Sequence, residues 1–164
     1  MTLAEAAARA DALAEEGNER ELAKLRAEWD ELLESSARGS DFRDRAIAYR
    51  AVGQFRFRSK KELLRRGLED ESPAVRGSAL IALEKLSRDH PGDVNDVRPL
   101  LHELVTHDGN EAVRRLAVVA LRNGSSRPDT IQILGSLGGD DDQPRELREA
   151  AAKVAQLLRR KSAK

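Results

Sequence analysis

Three stretches of the chain share one layout. Each has an acidic turn residue, an apolar residue five positions on, an arginine directly after it and an alanine three further. Asp70–Leu86 reads DESPAVRGSALIALEKL, Asp108–Leu121 reads DGNEAVRRLAVVAL and Asp142–Leu158 reads DQPRELREAAAKVAQLL. The apolar residue is Val75, Val113 or Leu147, the arginine Arg76, Arg114 or Arg148, and the alanine Ala79, Ala117 or Ala151. A weaker fourth copy lies upstream at Phe42, Arg43 and Ala46, with Asp41 displaced from the frame. The apolar positions follow one another at intervals of 33, 38 and 34 residues. Self-similarity at such periods marks stacked helix pairs, because one unit cannot bury its apolar face alone and finds cover only in the next.

The copy at 70–86 shows why each unit holds a helix. Asp70 and Ser72 carry short side-chain oxygens suited to the free N–H groups of a helix start. Pro73 fits the first turn, where its missing N–H costs nothing. Val75, Ala79, Ala82, Leu83 and Leu86 recur on one face of a 3.6-residue helix, and Leu80 and Ile81 widen that face. A helix apolar on more than one side needs cover on more than one side.

The D-x-x-x-x-V-R-x-x-A-x-x-A-L pattern resembles HEAT repeats in the short form common in bacterial proteins. The resemblance covers roughly residues 40–160 and is best at 70–86. It implies an all-α, right-handed solenoid of about four helix pairs. It also implies that the turn acids Asp70, Asp108 and Asp142 and the arginines Arg76, Arg114 and Arg148 bond along the stack, as structural residues rather than site residues. The first copy has Ala37 where the acid belongs.

Read in order, Thr2 and Glu5 form a capping box before a helix to about Glu16, ended by Gly17. That helix is expected to cap the row. Asn18 opens a second helix, with Leu22, Leu25, Trp29, Leu32 and Leu33 on one stripe. At that spacing Trp29 reads as core. Asp41 to Gln54 is a third helix burying Phe42, Ala46, Tyr49 and Val52. Ser59 and Glu62 suggest another capping box before a short helix to Leu68, which pairs with the helix that follows Asp70. Residues 89–96 read as a loop. Val97, Leu100, Leu101, Leu104 and Val105 give a stripe, Asn110 caps the next helix and Asn123-Gly124 ends it. Ser126 to Asp129 starts a helix carrying Ile131, Leu134 and Leu137, and the last helix runs to about Arg160. The expected organisation is one repeat domain over 1–164, with a cap at 1–17 and helix pairs at 18–55, 59–88, 93–123 and 126–160.

Residues that could do chemistry are few. With no cysteine there is no disulfide or thiolate site. His102 and His107 sit five apart, which leaves them about 140° apart around a helix instead of together on one metal. His107 at a helix C-terminus is a favourable cation position. Asp140-Asp141-Asp142 lacks the alternating ligands of a calcium loop. No serine has a paired histidine and aspartate. No cofactor or metal is expected, and the chain reads as non-catalytic. Its start is acidic with no long apolar core, and no apolar run approaches a membrane span, which points to a cytoplasmic protein.

Charge is balanced overall, with 29 basic and 29 acidic side chains, so nothing global draws the chain to nucleic acid or membrane. Locally it is not balanced. Residues 1–35 hold ten acidic and four basic side chains, and residues 36–66 hold ten basic and three acidic. The basic block centres on Arg56, Arg58, Lys60, Lys61, Arg65 and Arg66, interleaved with Phe55 and Phe57. Such a block can bind phosphates and stack on bases, meet an acidic protein surface, or pair with the acidic N-terminal helices.

The resemblance to HEAT repeats also implies that the second helices of the pairs line the concave face. The outward columns there are expected to be Asp44, Gly77, Arg115 and Glu149; Ala48, Ile81, Val119 and Lys153; and Ala51, Glu84, Arg122 and Gln156. Mixed sign and partly apolar character suit a protein or peptide partner at Ile81, Glu84, Arg115, Val119, Arg122 and Lys153. The expected function is a protein-binding scaffold module. The alternative is a nucleic-acid-binding repeat protein using the 56–66 segment.

Overall fold

The computed structural model describes residues 1–164, and every regular element in it is a helix. The ten are α1 (Leu3–Glu15), α2 (Glu19–Ala37), α3 (Phe42–Gln54), α4 (Lys61–Leu68), α5 (Pro73–Ser87), α6 (Pro91–Asn95), α7 (Arg98–His107), α8 (Glu111–Leu121), α9 (Pro128–Gly138) and α10 (Arg145–Ser162). They divide into two compact units, Met1–Leu86 and Ser87–Lys164. No helix is long and apolar enough to cross a membrane.

Local chemistry sets most of the boundaries. The Thr2–Glu5 capping box forms in both directions: Glu5 N–H donates to Thr2 Oγ1 at 3.2 Å and Thr2 N–H to Glu5 Oε2 at 2.9 Å. Gly17 takes φ +73° and closes α1, with Asn18 N–H bonded back to Leu13 O. The side chains of Asn18, Asp41 and Asn110 cap α2, α3 and α8. Ser59 and Glu62 do not form the expected box: α4 starts at Lys61 with no side-chain cap. Residues 89–96 are not all loop, because Pro91 starts the short helix α6.

In the first unit, α1 lies on both α2 and α3, burying Leu3, Ala6, Ala7, Ala10 and Leu13. Trp29 is buried with Leu22 and Leu33 on α2. α3 also meets α4 and α5, and both approaches are close. A Cβ on Gly53 would lie 2.7 Å from Ala82 Cα, and one on Gly67 would lie 2.7 Å from the Tyr49 ring. In the second unit, α8 lies between α7 and α10, and α10 covers α9 as well. Short turns such as 38–41, 69–72 and 108–110 fold successive helices into hairpins.

The first repeat is set two residues away from its expected frame. Phe42 is 44% exposed and Ala46 only half-buried, whereas Arg45, Ala48, Tyr49, Ala51 and Val52 are buried. Arg45, not Arg43, is therefore the counterpart of Arg76. Both reach back five and six residues to carbonyls of their own turn: Arg45 Nη1 to Ser40 O (2.9 Å) and Gly39 O (3.2 Å), Arg76 Nη1 to Glu71 O (3.2 Å) and Asp70 O (2.9 Å). Arg148 Nε does the same to Gln143 O at 3.0 Å. The frame Arg45, Arg76, Arg114 and Arg148 has intervals of 31, 38 and 34 residues.

The turn acids need one correction as well. Asp70 accepts Ser72 N–H at 2.9 Å and Asp108 accepts Asn110 N–H at 2.9 Å. In the last turn this role belongs to Asp140, which accepts Asp142 N–H at 3.0 Å. The 139–144 turn is two residues longer than 69–72, and its acid sits two residues earlier.

Successive pairs are also tied sideways. Arg45 Nε and Nη2 donate to both Asp70 oxygens at 3.0 and 3.1 Å. In the second unit Arg114 Nη1 donates instead to the Gln143 amide oxygen at 3.0 Å.

Candidate interaction surface

The basic segment begins where α3 stops. Arg56 takes φ +57° at that point, and Phe57 N–H bonds back to Val52 O at 3.0 Å. A left-handed turn here would ordinarily fall to glycine. Arg56 holds it by turning its guanidinium onto its own helix end, donating to Gly53 O and Gln54 O, and onto α1, donating to Asp11 at 2.7 Å and Glu15 at 3.1 Å. Lys85 Nζ reaches the same Asp11 oxygen at 2.8 Å. Burial pushes the Asp11 carboxyl up, but the Lys85 and Arg56 hydrogen bonds and charges outweigh it and leave it below the ordinary carboxylate range.

Lys60 is taken up in the same way. Its side chain is 9% exposed and Nζ lies 2.6 Å from Asp30 and 3.3 Å from Glu34 on α2. Phe55 and Phe57 are buried, with ring centroids 5.5 Å apart, so neither can stack on a base. Arg58 and Lys61 have partners of their own, while Arg65 and Arg66 are exposed on α4.

The expected partner-binding residues fall in both units. Ile81 and Glu84 are half-buried on α5 in the first. In the second, Arg115, Val119 and Arg122 follow one another along α8 and Lys153 stands on α10. Val119 is half-buried; Arg122 and Lys153 are exposed. Arg115 Nη1 bonds Glu146 Oε2 on α10 at 2.8 Å. On α3 the columns differ from expectation. Ala48 and Ala51 are fully buried, so neither faces outward, and with the frame moved by two the residue equivalent to Ile81 is the exposed Arg50.

Of the two histidines weighed as metal ligands, His107 pairs with Glu103 on the surface at 3.0 Å. His102 belongs to a cluster that the sequence reading passed over. Arg98, one turn before it on α7, is only 5% exposed. Its guanidinium donates to Thr130 Oγ1 at 2.8 Å, to Ser125 O at 2.9 Å and to Asn95 Oδ1. His102 Nε2 lies 2.8 Å from the same Thr130 hydroxyl. The signal was present, since Arg98 stands three and seven residues before Leu101 and Val105, on their apolar stripe.

One comparison with known proteins finds a match. Residues 29–95 match the family model described as HEAT repeats. Over those 67 of its 164 residues the chain is similar to HEAT repeats. The HEAT match starts at Trp29 within α2 and takes in α3, α4, α5 and α6, so it includes the first repeat with its shifted frame. Helix α1 lies outside the matched residues. No curated protein and no solved structure matches the chain.

Proposed function

We propose that the whole chain is a HEAT-repeat protein and a non-catalytic interaction module, a scaffold that holds another protein or peptide on the outward faces of its second helices. The contact residues on this reading are Ile81 and Glu84 on α5, Arg115, Val119 and Arg122 on α8, and Lys153 on α10. The observation that carries it is the mixed character of the α8 and α10 faces. Arg115 meets Glu146 across the two helices, and Val119 stands between two arginines. A surface with both signs and a part-exposed aliphatic suits a protein better than a polyphosphate chain.

Nucleic-acid binding through Arg56, Arg58, Lys60, Lys61, Arg65 and Arg66 is the weaker reading. Arg56 and Lys60 already have carboxylate partners on α1 and α2, and the interleaved aromatics are buried. The test is affinity capture from host lysate, with wild type beside a Val119→Glu/Lys153→Glu variant of unchanged circular dichroism. One defined protein should be held saturably by wild type, survive nuclease treatment and be lost with the variant. Nuclease-sensitive capture with a steep salt dependence, kept by that variant and lost in Arg65→Glu/Arg66→Glu, would reverse the assignment.

A further inference from the structure

The two arginines on buried stripes make a pair that differs in one respect. Arg45 has a carboxylate, Asp70, on its guanidinium. Arg98 has only neutral hydrogen-bond partners, a hydroxyl, a carbonyl and an amide oxygen, and the acid whose charge reaches it, Asp129, stands half-exposed and is shared with Arg127. A buried charge without a counter-charge is costly, because low-dielectric surroundings replace water without supplying an opposite charge.

Arg98 is not sealed in. It lines a hollow of about 550 Å³ together with Asn95, Pro99, His102, Ser125, Arg127 and Asp129. Three hydrogen bonds account for three of its five N–H groups, which leaves two for a ligand. Room for the guanidinium is built into the chain, since a Cβ on Gly124 would come 3.1 Å from Arg98 Nη2 and 2.7 Å from Val94 Cγ1. The start of α9, which has no side-chain cap, also borders the hollow and adds the positive end of its dipole.

The charges at the rim decide the valence. Arg127 adds a second positive charge; Asp129, 3.7 Å from it, removes one. Burial lowers the His102 pKa, Asp129 works against that, and Arg98 and Arg127 reinforce it. With the imidazole neutral at pH 7, Thr130 can accept from Arg98 and donate to His102 Nε2. The site then carries one net positive charge, which a monoanion balances and a phosphate dianion overshoots.

We propose that this hollow binds a carboxylate, supplied by an acidic side chain or chain terminus of the protein partner, with Arg98 as its main counter-charge and Arg127 at its rim. Only the source of that carboxylate rests on the protein-partner reading; the site itself does not, and a free carboxylate tests it directly.

The experiment is an NMR titration of the full chain with sodium acetate against sodium chloride at constant ionic strength, followed at Arg98 Nε and the amides of 95–102 and 125–130. A second arm uses inorganic phosphate. Acetate should give saturable shifts confined to these residues, with a dissociation constant in the millimolar range. Arg98→Gln should abolish them. Should that variant fail to fold, Arg127→Gln, at a side chain 59% exposed, should weaken acetate about two- to fivefold. No saturable shift, or shifts undiminished in Arg127→Gln, would overturn the site. Phosphate binding more tightly than acetate would overturn the carboxylate assignment. Capture on the second helices can fail while acetate still binds, so the two readings fail separately.

Discussion

Replacing Gly53 by alanine sets two known effects against each other at one atom. Alanine is the better helix former, and mid-helix the exchange is worth up to about 1 kcal/mol. At Gly53 the new methyl would lie 2.7 Å from Ala82 Cα, 3.1 Å from its Cβ and 3.3 Å from its carbonyl oxygen. Carbon atoms rest about 3.5–4.0 Å apart, so α3 and α5 would have to separate by about 1 Å. The nearest atom is backbone, which cannot rotate away. Overpacking of this kind costs about 1–3 kcal/mol, which leaves Gly53→Ala about 1 kcal/mol less stable than wild type. Gly135 on α9 is the control. There a Cβ meets only Arg159 Nη2, at 3.0 Å, the far end of a flexible side chain. Gly135→Ala should therefore gain about 0.5–1 kcal/mol. Urea unfolding separates the cases. Trp29 is the chain's one tryptophan and lies buried in the first unit, so its fluorescence follows Gly53→Ala, and circular dichroism follows Gly135→Ala. The midpoints should move in opposite directions. If Gly53→Ala unfolds at or above the wild-type midpoint, the reasoning about a backbone contact is wrong.

Other expectations are as direct. Burial raises the Asp70 carboxyl, but bonds from Arg45 and Ser72 N–H and the charges of Arg45 and Arg76 hold it below the ordinary value. Its stabilisation is thus complete above the unfolded pKa of about 3.9 and lost as pH falls through the lower folded value. Asp70→Asn should be less stable than wild type at pH 7 and should lose less stability on acidification, read by urea midpoints at each pH. Asp11→Asn weakens the links to Arg56 and Lys85 together, so amide hydrogen exchange in α1 should quicken more than in α2; equal protection in wild type and variant would count against this role. His102 should titrate below the ordinary 6.5 of histidine, and stability should fall as pH drops below that value; an NMR pH titration of the imidazole checks the direction.

Much of this architecture could be read from spacing alone. Thr2, Asn18, Asp41 and Asn110 cap their helices, and Leu22, Trp29 and Leu33 on α2, Leu101, Leu104 and Val105 on α7 and Val113 and Ala117 on α8 are buried as the 3.6-residue period requires, whereas Leu32 of the α2 stripe is 48% exposed. Failures came where two local signals competed. Phe42 looked like a core residue by its chemistry, yet the alanines at 48 and 51 fit the close approach of α3 to its neighbours, and an aromatic ring would not. Asp142 matched the repeat pattern in sequence, but a longer turn gave the role to Asp140. Arg45 and Arg98 are charged, and charge by itself suggests a solvated face. A guanidinium on an apolar stripe instead points to an acceptor waiting in the interior. Pairing between Arg56 and α1 was one of three alternatives for the basic segment. Choosing among them required knowing that residues 45 apart come together, which period and propensity do not encode.

The docking of α1 has a consequence for how copies of this protein meet one another. Repeats that stack by shape alone have no built-in reason to stop, and an open terminal hairpin invites another molecule to continue the row. The small residues Ala6, Ala7 and Ala10 let α1 settle low on α2 and α3, and Asp11 clips it to Arg56 and Lys85. That helix covers apolar surface of α2 and α3, so trimming residues 1–17 should uncover it and raise self-association above that of the full chain.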